Sequence, residues 1–125
     1  MRAFRTLQLM RLPDTRHTAR LWIASHVPPG SALFVHPAHG RANTFLTRYH
    51  LRNLIGNPFE TTVAIASLIF GGVLDRLPDL DLCFAHGGGY ACLGAARLDQ
   101  GRQVRDEAHS SSLPSEYLRK LYFDT

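Results

Sequence analysis

Two short, mostly apolar runs, each stopped by a histidine, constrain this chain more than any other feature of it. The first, Ala32-Leu33-Phe34-Val35, follows the turn signal Pro28-Pro29-Gly30 and ends at His36-Pro37. The second, Leu80 to Ala85, ends at His86-Gly87-Gly88-Gly89. Continuous apolar runs of this length, bounded by turn residues, read as strands covered on both faces, the form strands take in parallel sheets. Between them Asn57-Pro58-Phe59-Glu60 has the composition of a helix start. Asn57 can cap, Pro58 suits the first helical position, and Glu60 stands three residues after the cap. The spacing of Ile65, Leu68, Ile69 and Phe70 predicts a helix running towards Arg76, and Pro78 prevents its continuation.

The remaining pattern extends the alternation. A second helix is expected from about Tyr90 to Gln100, with loop from Gly101 to Ser112. Pro114-Ser115-Glu116 opens a short helix, and Leu121-Tyr122-Phe123 a third strand that stops at Asp124. Residues 37–56 read as a long loop with some helix. Strand, helix, strand, helix, strand argues an α/β fold with a parallel sheet of about three strands joined by crossover helices. With 125 residues and 45% apolar composition the chain suffices for one domain and not for two.

The net charge of +4 suggests a nucleic-acid partner only until it is located. Arg2, Arg5, Arg11, Arg16 and Arg20 stand against Asp14 in residues 1–22, and the rest of the chain is balanced. The basic excess belongs to one terminal segment, so no nucleic-acid partner is expected. Residues 1–31 read as an unassigned basic leader, with an Arg-rich composition shared by transit peptides but no clean amphipathic stripe. His17 and His26 lie there without a ligand-like neighbour. The apolar run Val63 to Val73 is broken by Ser67, Gly71 and Gly72 and is too short to cross a membrane, so no membrane partner is expected. Cys83 and Cys92 are too few for a disulfide scaffold and suit reduced thiols in a cytoplasmic protein.

Chemistry can be placed on few residues. In parallel α/β folds, reactive groups gather at the carboxyl ends of strands, where loops open over a rigid scaffold. His36 at such an end can be a metal ligand or a core histidine satisfied by a carbonyl. His86, before three glycines that permit close backbone approach, can act as acid or base or merely close a turn. Arg97 on the second helix can pair with a carboxylate or sit on a solvated face. Asp124 can be a ligand or a base. His39, His50 and His109 fall in loop-like stretches and read as surface residues. No phosphate-binding glycine loop, Cys-x-x-Cys pair or Gly-x-Ser-x-Gly elbow is present.

Four segments taken together resemble a known family. They are Phe34-Val35-His36-Pro37, then Gly56-Asn57-Pro58-Phe59-Glu60-Thr61-Thr62, then Gly71-Gly72-Val73 with Pro78-Asp79-Leu80, then Phe84-Ala85-His86-Gly87-Gly88-Gly89. In this order and spacing they are similar to the decarboxylase branch of the amidohydrolase-related superfamily of metal-dependent hydrolases, over residues 32–125. The resemblance implies a (β/α)8 TIM barrel, of which this chain would form part. It also implies a divalent metal, zinc as the first expectation, and a homodimer acting on a small-molecule carboxylic acid. It makes His36 a metal ligand, His86 the residue that transfers the proton, and Arg97 a clamp on a substrate carboxylate in the neighbouring subunit. Ala96 stands where relatives often carry Gly before that Arg.

The chain departs from the family pattern in two places. No His-x-His precedes His36, and the later Asp-containing metal motif lies outside the sequence. Residues 32–125 therefore read as the carboxyl-side middle of a longer barrel. The implied reaction is non-oxidative decarboxylation of an unsaturated or aromatic acid. Hydrolysis of an ester, lactone or amide by the same kind of site, and a non-catalytic fragment, are the alternatives.

Overall fold

The computed structural model describes the backbone of residues 4–7 and all of residues 25–28, 30–36 and 45–124. His17, His39, Pro37 and most of the basic leader lie outside the described residues. Four strands form one sheet in the order β1-β2-β3-β4: β1 Phe4–Leu7, β2 Ala32–Val35, β3 Asp81–Phe84 and β4 Tyr122–Phe123. All three pairings are parallel. The three strands expected from the sequence stand where they were placed, and the α/β architecture is that of a partial barrel. β1 adds a fourth strand inside the segment left unassigned. Its sequence Phe-Arg-Thr-Leu sets two polar residues between two apolar ones, neither an apolar run nor an alternation, and has no turn signal beside it.

The crossover from β2 to β3 carries the main helix. It begins as a π-helical turn, Arg52–Gly56, and continues as α1, Asn57–Phe70. Asn57 does not cap it. Gly56 already has helical angles (φ −63°, ψ −50°), so Asn57 lies inside a helix that starts earlier, at Arg52, and the expected cap is not made. The helix also does not run unbroken to Arg76. Gly72 takes a left-handed φ of +66°, which glycine adopts at no steric cost, and separates α1 from the short α2, Val73–Arg76. Next come α3, Ala95–Val104, and α4, Pro114–Leu118. α3 starts later than expected, after a run of turns, and passes through Gly101 instead of ending before it.

One face of the sheet makes the core. Leu33, Val35, Leu82 and Phe84 are buried against Ile65, Leu68 and Ile69 of α1, with Val73, Tyr117 and Leu118 closing the cluster. Burying side chains of this size contributes roughly 1.5–3 kcal/mol each. Phe34 and Cys83, which alternate with them, are only half-buried on the opposite face. The register puts Val35 beside Phe84 and Phe84 beside Phe123. As a result, the chain leaves β2, β3 and β4 at the same edge.

Candidate active site

Parallel register decides which residues meet at that edge. His36 follows β2, Ala85 and His86 follow β3, and Asp124 follows β4. The sheet is continued past the strands by two bonds. Ala85 N–H donates to Val35 O (3.0 Å), and Asp124 N–H donates to Phe84 O (3.1 Å). The rings of His36 and His86 then stand edge to face, with centroids 4.8 Å apart. His36 is exposed and His86 half-buried.

The loop after β3 is held from three directions. Asp124 Oδ1 accepts the Gly87 N–H (2.9 Å). Thr62 Oγ1 accepts the Tyr90 N–H (2.8 Å) while its hydroxyl donates to Pro58 O (2.8 Å). Tyr90 O–H donates to Leu54 O (3.3 Å). His86 itself has a left-handed φ of +58°. A non-glycine residue in that region carries strain of order 1–3 kcal/mol and persists only where its surroundings enforce it, as they commonly do at active sites. Gly87, Gly88 and Gly89 also have positive φ. A Cβ at Gly88 would sit 2.5 Å from the Phe123 ring, and one at Gly89 would collide with the Pro58 carbonyl. The glycine run lets the loop lie directly against α1 and β4.

The electrostatics follow from this packing. Burial pushes the His86 imidazolium towards its neutral form, and the neighbouring His36 adds to this. The Asp124 carboxylate pulls the other way without reversing the outcome, so the pKa lies below the usual 6.5. Burial, with Asp124 adding to it, raises the Cys83 thiol, which keeps it protonated and unreactive.

The other sequence candidates fall elsewhere. Arg97 lies exposed on α3. His50 and His109 are exposed, as expected of surface residues, and His26 is engaged with Ser25 (2.7 Å). Asp124 is engaged with the Gly87 N–H, a structural bond that neither a ligand nor a base role had suggested. Thr61, Thr62 and Tyr90 were missed altogether. The available signal was two adjacent β-branched residues inside a helix, a costly arrangement for local structure unless their hydroxyls are used.

His36 and His86 stand side by side, but catalytic metal sites normally need three protein ligands. Among the described residues no group of three His, Cys, Asp or Glu could hold a metal ion. These residues do not make a metal site by themselves.

No model of a known protein family matches the chain. It is 39% identical over 99 residues to 2-amino-3-carboxymuconate-6-semialdehyde decarboxylase of Dictyostelium discoideum, a match covering 77% of this chain and 28% of that protein. Its fold superposes on 5-carboxyvanillate decarboxylase of Sphingomonas paucimobilis with a TM-score of 0.72 at 21% identity, covering 94% of this chain and 38% of that one. It also superposes on a dihydroxybenzoic acid decarboxylase from Polaromonas, which holds manganese and the inhibitor 2-nitroresorcinol. The TM-score there is 0.57 at 15% identity, with 90% of this chain and 35% of that one covered. The chain thus spans under two-fifths of the length of each of these three proteins.

Proposed function

We propose, for a chain whose sequence and fold are those of a segment of the decarboxylase branch of the amidohydrolase-related superfamily, that His36, His86 and Arg97 serve one reaction. That reaction is the non-oxidative loss of carbon dioxide from an unsaturated or aromatic carboxylic acid. The observation that carries the proposal is the pair of imidazoles in contact at the ends of adjacent parallel strands, one exposed and one fixed in a glycine-rich loop.

His86 moves the proton. The bond between the ring or chain carbon and the carboxylate breaks, its electron pair stays on that carbon, carbon dioxide leaves, and a proton from His86 takes its place. A ring whose pKa is lowered can take up a proton from water and then give it to that carbon. Arg97, exposed on α3, pairs with a substrate carboxylate through its planar fork. Its position on an outer helix suits a clamp that reaches across a homodimer. His36 is the residue of this chain that would hold a divalent cation, zinc in our reading. The cation would supply Lewis-acid stabilisation of developing charge, and its other ligands would be residues other than those described. The setting is cytoplasmic.

The test is carbon dioxide release from hydroxybenzoates and from aminocarboxymuconate semialdehyde, run beside ester and lactone hydrolysis. The isolated 125-residue chain should stay at background, because a lone acid–base histidine is worth only about 10²–10⁴-fold. A longer polypeptide carrying these motifs should release carbon dioxide. Hydrolysis without carbon dioxide release would overturn the reading.

A further inference from the structure

The proposed chemistry leaves unexplained why two threonines stand side by side in α1, facing the loop that carries His86. Thr62 secures the loop backbone through Tyr90. Thr61 is fully buried, and its Oγ1 lies 3.0 Å from His86 Nδ1. A buried hydroxyl requires a hydrogen-bond partner, and here that partner is the ring itself. A hydroxyl both donates and accepts, so Thr61 bonds Nδ1 whether that nitrogen carries the proton or the lone pair. With Nδ1 engaged by Thr61, Nε2 is the nitrogen left for proton transfer.

The geometry points to Thr61 as a positioning residue for His86, whose hydroxyl orients the imidazole and occupies Nδ1, so that Nε2 alone exchanges protons with substrate. The ring is then held at Nδ1 by helix α1, while its backbone is held by Asp124 through Gly87 and by Thr62 through Tyr90. Helix and strand therefore converge on one side chain. This inference rests on His86 as the proton-transfer residue. Its test reads the ring and not turnover, so a ring held by Thr61, with no carbon dioxide released by the longer polypeptide, would overturn the decarboxylase reading alone.

The experiment is ring ¹⁵N NMR of His86 in the 125-residue chain near neutral pH, for wild type, Thr61→Val, Thr61→Ala and Thr61→Ser. In wild type the Nδ1 resonance should show the shift displacement of a hydrogen-bonded ring nitrogen. Both hydroxyl-free variants should lose that displacement, and Thr61→Ser should restore it. A hydroxyl that only satisfies packing would leave the ring unchanged when removed. Wild-type Nδ1 shifts kept in Thr61→Val and Thr61→Ala would overturn the assignment. So would a Thr61→Ser ring no different from that of Thr61→Val.

Discussion

β2 and β3 are in-register neighbours in one parallel sheet, yet their carboxyl ends are built differently. β2 delivers His36 directly, exposed, with no left-handed residue between strand and side chain. β3 delivers His86 through a turn of four consecutive positive-φ residues, pinned by α1 on one side and by Asp124 on the other. A parallel sheet alone brings two histidines together. Giving them different work takes a second layer, in which one ring is tied down, partly desolvated and kept neutral. That contrast suits a proton carrier at His86 and a ligand at His36.

The contrast breaks most sharply at glycine. Gly89→Ala should cost roughly 3 kcal/mol or more in chemical denaturation, since its φ of +63° disfavours a side chain and its Cβ would meet the Pro58 backbone. In the turn before β2, Gly30→Ala meets nothing within 4 Å, so only its φ of +76° matters. About 1–2 kcal/mol is expected there. Equal losses at the two sites would mean that the loop after β3 is not packed against α1 as described.

Next in size is the bond from Gly87 to Asp124. Asp124→Ala removes a charged acceptor for a loop amide and should cost about 1 kcal/mol. It should also speed amide hydrogen exchange at Gly87. His36→Ala, at an exposed site, should change stability by less than about 0.5 kcal/mol.

The pH dependence separates the two histidines further. The folded pKa of His86 lies below 6.5, so the unfolded chain binds its proton more readily. Its contribution to stability is fully present above about pH 6.5 and is lost as pH falls through the folded value. Denaturation followed from pH 7.5 to 5 should show that loss in wild type. The loss should vanish in His86→Gln and shrink in His36→Ala, which removes one of the two causes of the depression. Asp75 gives a control far from the site. Burial raises its carboxyl, but the Tyr117 hydroxyl, the Ser111 N–H and Arg76 together leave it below 3.8. Its contribution is therefore lost only in strong acid.

The sequence made the strands legible where apolar runs met clear punctuation, at Ala32–Val35 and before His86. β1 was not legible, because Phe4-Arg5-Thr6-Leu7 is short and shows neither an apolar run nor an alternation, and its strand character comes from pairing with β2. The helix start was misplaced because Asn57-Pro58 carries a start signal that tertiary structure overrides. Gly56 is held helical and the preceding π-helical turn extends the element backwards. In the site, the histidines were visible because they end strands. The part played by Thr61, and the bond from Asp124 to Gly87, were not, because each rests on a contact 25 or 37 residues distant, which no local pattern encodes.

The central claim is the division of labour between His36 and His86. It is tested most directly by measuring bound divalent metal and carbon dioxide release together, in a longer polypeptide carrying this segment, for the alanine variant at each histidine. The account predicts that His86→Ala abolishes turnover with metal content nearly intact, and that His36→Ala lowers both. Loss of metal in His86→Ala, with metal retained in His36→Ala, would contradict it.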